Sequence, residues 1–288
     1  MRRCCHSLRA SILAGLQAFA LLLAMFAPFA FGQNAQPLLV LYAFPEEGQA
    51  IAAKMTTDSA EHILGRTVQI GVLNGKKIVL AESGIGMTNA AMTTQALISR
   101  FQPRGLVFSG IAGAVDSAVH IGDLCICANW ITHDFVYCGP DSLEPMPIDL
   151  YDARTDSIVS VRSLAADSGC VAQAAKVDRS KLSLGKIGSR EPHINIGGVG
   201  VSGNAFVDNS EKRLWLSKRF NALVTDMESA AVAQVCFAHG VPFVIIRSAS
   251  DLAGGSRGGT AGAELDQFFQ IAAANSSALV IALIGQLP

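Results

Sequence analysis

The chain has 288 residues, of which 50% are hydrophobic and 16% charged, and its 22 Lys and Arg nearly balance 23 Asp and Glu to leave a net charge of −1. A chain of this size buries a substantial core without help from metals or disulfides, and its composition excludes disorder. The charge balance gives no electrostatic reason to bind nucleic acid.

Residues 1–32 read as a secretory signal. Arg2, Arg3 and Arg9 precede an apolar run from Ile12 to about Phe29, and Ala30-Phe31-Gly32 ends it with small residues at the two positions a signal peptidase reads. Cleavage before Gln33 takes Lys and Arg from 22 to 19 against 23 acidic residues, a net charge of −4. The mature protein is then expected to be periplasmic or secreted. An uncleaved membrane anchor is the alternative, because the run approaches a spanning length although Pro28 interrupts it.

Cys4 and Cys5 leave with the signal, and five of the seven cysteines remain. Cys125 and Cys127 lie two apart on an expected strand and face one side, which is poor geometry for bridging each other. Cys138 and Cys170 lie in or near the least regular part of the chain, where an oxidising compartment permits a disulfide between them. No Cys/His spacing resembles a zinc site, and no metal is expected.

From Leu38 onward, apolar runs alternate with helical patterns. Leu38–Phe44, Ile78–Glu82, Gly105–Ser109, Asp123–Trp130, Ile194–Val201, Leu223–Asp226 and Phe243–Ser248 read as strands, several of them nearly all apolar and so buried on both faces. Glu46–Leu64, Met87–Phe101, Ser210–Arg219, Ser229–Gly240 and Ala263–Gln286 have helical spacing. The alternation predicts an α/β fold over residues 33–288: three α/β/α layers around a mixed, mostly parallel twisted sheet, with the ligand site beyond the carboxyl ends of the strands.

Several motifs fall at those ends. Asp226-Met-Glu228 and Ser250-Asp251 set acidic groups at chain turns beside apolar strands, as a site gripping a polar ligand does. Ser83-Gly-Ile-Gly86 and Ser109-Gly-Ile-Ala-Gly113 read most simply as tight turns after strands. Neither is a Walker loop or a complete G-x-G-x-x-G fingerprint, since Asn89 stands where the third glycine belongs, and no nucleotide cofactor is expected.

In sequence order, Ala43-Phe-Pro-Glu-Glu47, Glu82-Ser-Gly-Ile-Gly-Met-Thr-Asn-Ala-Ala91, Ser109-Gly-Ile-Ala-Gly-Ala114, Ile121-Gly-Asp123, Ser202-Gly-Asn-Ala-Phe206, Asp226-Met-Glu228 and Ser250-Asp251 resemble the 5′-methylthioadenosine/S-adenosylhomocysteine nucleosidases of the nucleoside phosphorylase superfamily. The resemblance covers roughly residues 38–284; the stretch from Gly139 to about Glu191 has no counterpart. It implies hydrolysis of the N-glycosidic bond of a purine nucleoside, a reaction that needs a base for water, an acid for the leaving purine, and a grip on the ribose.

The resemblance implies a role for each residue. Glu47 is the water-activating base, Asp251 helps protonate purine N7 with Ser250 beside it, and Arg247 stands near the water and carboxylate. Glu228 accepts hydrogen bonds from the ribose hydroxyls, Met227 packs on the ribose, Phe206 stacks on the purine, and the main chain at Val207 reads the purine edge. Plainer readings exist: a helix-dipole carboxylate for Glu47, a helix cap for Asp251 or Ser250, core packing for Phe206 and Met227, and a structural ion pair for Arg247.

The sequence also departs from the family pattern. Ile111 stands where a small hydroxyl residue is expected near the nucleophile, Asp226 replaces a glutamate outside the ribose contact, and Phe44-Pro45 replaces a more flexible pair shaping the 5′ pocket. His133-Asp134 resembles a pair near the family's dimer interface, and a homodimer with a neighbouring subunit closing the 5′ end is expected. Two other functions remain open: a phosphate-dependent purine nucleoside phosphorylase, and an exported nucleoside-binding or storage protein without turnover.

Overall fold

The structure is a computed structural model that describes residues 36–256 and 258–287. The expected signal, residues 1–32, lies outside them. The chain opens with β1 (Leu38–Tyr42) and α1 (Pro45–Ala52), then β2 (Thr56–Ile63), β3 (Arg66–Leu73), β4 (Lys76–Glu82) and α2 (Met87–Phe101). A long β5 (Gly105–Ala114) leads to two short strands, β6 (Leu124–Ile126) and β7 (Asn129–Thr132). Two hairpins follow, β8 (Val136–Cys138) with β9 (Leu143–Pro145) and β10 (Ile148–Asp152) with β11 (Ser157–Val161), then β12 (Leu164–Ala165) and α3 (Ser168–Ala175). After it come β13 (Ile194–Ile196), β14 (Val199–Ser202), α4 (Ser210–Phe220), β15 (Ala222–Asp226), α5 (Ser229–His239), β16 (Phe243–Leu252) and α6 (Ala261–Gln286).

The main sheet is mixed. β4, β1, β5 and β16 run parallel, as do β7, β14 and β15 and the β6–β13 pair, while β2–β3, β3–β4, β5–β15, β6–β16 and β7–β12 are antiparallel. β5 is the pivot, pairing with β1, β16 and, through Gly113 and Ala114, with β15. Alternate residues of β1 feed two cores: Leu39 and Leu41 pack in one with Leu97, Phe108 and Val232, and Leu38 and Val40 in the other with Ile51, Val244 and Leu283. Helices α2 and α5 pack together, and α1 and α6 pack together against β5. This is the three-layer arrangement expected for a sheet with both faces covered. Helix α6 is the one described helix long and apolar enough to cross a membrane, yet half of its apolar window is buried inside the domain.

Several sequence expectations are corrected. The helix expected over Glu46–Leu64 stops at Ala52, and Thr56–Ile63 forms a polar strand paired to β3. Helical spacing continues through Met55, but Thr56 and Thr57 favour extended backbone. Two-residue turns at Leu64-Gly65 and Asn74-Gly75, all four residues with positive φ, then close successive hairpins. Asp123–Trp130 and Ile194–Val201 each split in two. Gly197 and Gly198 take φ of 90° and 72°, and the chain steps there from pairing with β6 to pairing with β7.

Cys138 is exposed on β8 and Cys170 partly buried in the first turn of α3, and both are free thiols, so the disulfide permitted between them is absent. Cys170 instead packs against the Val40 core. Cys125, Cys127 and Cys236 are buried and free.

The Ser109-Gly-Ile-Ala-Gly113 motif is not a turn; it lies wholly inside β5. Its glycines are there for close approach. A Cβ on Gly110 would lie 1.8 Å from Arg247 Nη1 and 2.8 Å from Glu47 Oε1, and one on Gly113 would lie 2.9 Å from Asp251 Oδ1. The Ser83–Gly86 segment does turn, with Gly84 and Gly86 at φ of 79° and 93°.

Candidate active site

A cavity of about 380 Å³ opens at the carboxyl ends of β1, β5, β15 and β16, within the range for small-molecule sites. Glu47, Ile111, Phe206, Met227, Glu228, Ser250 and Asp251 all line it. Arg247 stands behind its wall, fully buried. Val207 does not line the main cavity; it borders an adjoining recess of about 30 Å³ together with Gly113, Thr225 and Asp251.

Glu47 enters from the first turn of α1, after Phe44 at the helix N-cap and Pro45 at the first helical position. It is 1% exposed, and both carboxylate oxygens are held by main chain: Oε2 accepts from Ala43 N at 2.7 Å and Oε1 from Ile111 N at 2.8 Å. Burial pushes its pKa up to about 7 against the pull of Arg247 and these two N–H groups. The Ile111 side chain offers no hydroxyl, so that residue's contribution to Glu47 is its main-chain N–H.

Glu228 sits at the β15-to-α5 turn, where its Oε1 accepts from Gly86 N at 2.9 Å, and burial likewise raises it to about 7 against the opposing Arg247 charge. The Ser83–Gly86 turn thus positions a carboxylate. Arg247 has its Nε 2.7 Å from Asp226 Oδ2 and its Nη2 3.7 Å from Glu228 Oε2, and its guanidinium carbon stands 4.1 Å from the centre of the Phe108 ring. Its Nη1 is buried without a hydrogen-bond partner.

Asp251 faces the cavity from the end of β16. Opposite β5, Ala249 pairs with Ala112 and Asp251 with Gly113, so Ser250 is the extra residue of a bulge that re-aims the strand. Ser250 Oγ donates to Asp251 Oδ2 at 2.8 Å, whereas Oδ1 is buried and unpartnered. Burial pushes the pKa up to about 6, with Glu264 and Asp208 adding in the same direction against the Ser250 bond. Neither Asp251 nor Ser250 caps a helix; both lie within β16. Phe206 lines the cavity with 47% of its surface exposed.

Phe44, expected from the sequence to shape the 5′ pocket, lines the cavity, whereas its neighbours from α6 were missed. Phe44 and Phe269 form a ring pair with centroids 5.3 Å apart, and Leu265, Asp266 and Phe269 bring the second and third turns of α6 into the cavity wall. The 3.6-residue spacing of α6 showed which residues share a face, but not that its start would face the ligand. Asp226 is no bystander: it accepts from Ser202 Oγ, from the backbone N–H groups of Glu228 and Ser229 and from Ser229 Oγ, and it pairs with Arg247. His133 is 1% exposed, with both ring nitrogens unpartnered, and lies outside the cavity lining, while Asp134 Oδ2 accepts from Asn204 N. Among the described residues, no group of three or more His, Cys, Asp or Glu is placed to hold a metal ion.

A sheet of this topology with carboxylates and a buried arginine at its carboxyl edge defines an α/β enzyme class, and residues 37–285 match the family described as Phosphorylase superfamily. The 5′-methylthioadenosine/S-adenosylhomocysteine nucleosidase of Halalkalibacterium halodurans is 34% identical over 251 residues, covering 86% of this chain and 97% of the relative. The nucleosidase of that name from Neisseria meningitidis, solved with methylthio-immucillin-A, superposes with a TM-score of 0.70 at 27% identity over 88% of this chain and 100% of that one. Futalosine hydrolase of Helicobacter pylori gives a TM-score of 0.70 at 25% identity over 88% and 98%. The chain belongs to the phosphorylase superfamily, as a member akin to its 5′-methylthioadenosine/S-adenosylhomocysteine nucleosidases.

Proposed function

We propose that this protein hydrolyses the N-glycosidic bond of methylthioadenosine, S-adenosylhomocysteine or a related purine nucleoside, releasing the free purine and the sugar. The observation that carries the reading is the division of one cavity. Glu47 and Glu228 lie on one side with Arg247 behind them, and Asp251 with an unpartnered Oδ1 faces the recess beside Phe206 and Val207. Glu47, half-ionised near neutral pH, takes a proton from water as it attacks C1′. Asp251, raised into the same range, shares a proton with purine N7 so that the base leaves neutral. Glu228 accepts from the ribose hydroxyls while C1′ becomes cationic, Met227 packs on the sugar, and Phe206 stacks on the purine.

Water is favoured over phosphate by the charge of the site. Phosphate needs several free donors where the nucleophile stands, and here Glu47, Glu228 and Asp226 surround the single buried guanidinium. The Phe44–Phe269 pair and Leu265 make an apolar wall that suits a 5′-thioether better than a 5′-hydroxyl. Ile85, 54% exposed, and Phe206 leave apolar surface at the mouth, consistent with a homodimer whose second subunit closes it. Export through the segment 1–32 is part of the same proposal and rests on its charged start, apolar run and small-residue end.

The test is incubation with methylthioadenosine, S-adenosylhomocysteine, adenosine, inosine and futalosine, with and without phosphate, followed by identification of the sugar. Free sugar formed without phosphate is expected. A sugar 1-phosphate formed only with phosphate would overturn hydrolysis, and binding without turnover would leave only a nucleoside-binding role.

A further inference from the structure

The hydroxyl of Ser229, the first residue of α5, is fully used. It accepts from Arg247 Nε at 3.0 Å and from Nη2 at 2.8 Å, and it donates to Asp226 Oδ2. Arginine has no acceptor, so the single hydroxyl proton has Asp226 as its destination. Asp226 is itself immobilised: Oδ1 accepts from Ser202 Oγ at 2.5 Å and from the N–H groups of Glu228 and Ser229 at 3.3 and 3.2 Å. Ser202 Oγ is fixed in turn by Ala230 N at 2.8 Å. The N–H of Nε and one of Nη2 are therefore held at the β15–α5 junction, the other side of Nη2 has Glu228 Oε2 at 3.7 Å, and the Phe108 ring covers one face of the guanidinium.

The two remaining N–H bonds are those of Nη1, buried and unpartnered above Gly110, where Glu47 Oε1 also converges. A five-donor group held on one side and open on the other is a directed donor, provided that it cannot rotate.

We propose that Ser229 is a positioning residue: with Asp226 it clamps Arg247 so that Nη1 stays aimed at Glu47 and at the nucleophile beside it. The inference rests on the nucleosidase reading.

The charged and titratable groups around this point are Arg247 from β16, Asp226 and Glu228 from the end of β15, Glu47 from α1, Cys127, whose thiol burial holds well above its ordinary pKa, and, on the far side of Asp226, His133, whose pKa burial lowers. Without Ser229, Asp226 loses a donated hydrogen bond and its uncompensated charge, with that of Glu228, draws the guanidinium away from Glu47. Glu47 then loses its main electrostatic support and titrates higher.

The test uses Ser229→Ala and, to keep the packed volume, Ser229→Cys, whose thiol is a weak acceptor. With methylthioadenosine, kcat is expected to fall about tenfold while KM stays within about twofold, the signature of an interaction made in the transition state. In an Arg247→Ala background, Ser229→Ala is expected to change kcat by less than about twofold, because a residue acting through the arginine has nothing left to position. Independently of turnover, the ¹³C-carboxyl resonance assigned to Glu47 by its loss in Glu47→Gln should titrate at higher pH in both Ser229 variants than in the parent. An unmoved Glu47 titration, or an equal loss of kcat with and without Arg247, would overturn the clamp. If the parent releases no free sugar, the nucleosidase reading falls, and the Glu47 titration still decides the clamp.

Discussion

Replacing Glu47 with Gln separates the chemistry of this site from its architecture. The carboxylate accepts two main-chain N–H groups, from Ala43 and Ile111, and a glutamine of the same shape has one oxygen to offer them. Its NH₂ must face the other N–H, and a buried donor left unsatisfied costs about 1–3 kcal/mol. Against this stands the ionisation that glutamine avoids. Glu47 rises from 4.5 to about 7 on folding. A native pKa above the unfolded value contributes stability that is full below pH 4.5 and is lost as pH rises through about 7, a cost of about 3 kcal/mol once the group is fully ionised. At pH 8 the two effects nearly offset, so the variant should unfold within about 2 kcal/mol of the parent. At pH 4 only the first survives, and the variant should be the weaker protein.

Activity has no such compensation. An amide takes no proton from water, so kcat for methylthioadenosine should fall by about 10² to 10⁴-fold. Adenine, which needs the recess beside Asp251 and not Glu47, should bind the variant with nearly unchanged affinity. The assay is adenine release followed by absorbance, with urea unfolding at the two pH values and calorimetric titration of adenine. A variant keeping more than about one-tenth of the parent kcat would remove Glu47 from the proton transfer.

The other carboxylates make distinct predictions. Asp251→Asn should lower kcat by about 10²-fold or more, and less for a nucleoside whose base leaves readily as an anion; equal losses for both would refute its role as the acid. Because Glu47 must be ionised with a pKa of about 7 while Asp251 must be protonated with one of about 6, only a minor fraction of free enzyme is correctly charged. A plot of kcat/KM should therefore be a narrow bell with its maximum near pH ~6.5, and a flat profile from about pH 5 to 9 would contradict this assignment. Glu228→Ala should cost a nucleoside bearing both ribose hydroxyls at least about tenfold in kcat/KM but a 2′,3′-dideoxy analogue far less, and equal losses would place Glu228 outside the sugar contact. Phe206→Ala should weaken adenine binding by about tenfold, measured by calorimetry, and unchanged affinity would leave its exposed ring without a ligand role.

What could be read from the sequence and what could not divide along a physical line. Leu38–Tyr42 and Phe243–Ile246 were legible as strands because residues buried on both faces are apolar throughout; Glu228 and Asp251 stood out as acids at strand ends, and Glu47 joined them through the resemblance to the nucleosidases. Thr56–Ile63 was not, because an edge strand open to water carries little hydrophobic pattern; the Asn74-Gly75 turn one strand later was the available sign of hairpins. Gly110 and Gly113 show a different limit. A glycine that makes a turn and one that makes room look alike in sequence, and only the convergence of Arg247, Glu47 and Asp251 on β5 tells them apart.

The same holds for Ser229 and Asp226, whose partners come from a strand more than fifteen residues away and from the turn itself. A charged group buried as deeply as Arg247 is tolerated only when its neighbours compensate it, so their identity is set by the guanidinium rather than by local propensity. Sequence showed the charges of this site; the neutral groups that aim them, the Ser229 hydroxyl, the Gly86 and Ile111 N–H groups and the Ser250 bulge, emerge only when the strand ends are brought together. Such groups carry no charge pattern to read, yet the Ile111 and Gly86 N–H groups and the Ser250 hydroxyl each pull a carboxyl back towards ionisation against the burial that raises Glu47, Glu228 and Asp251 alike.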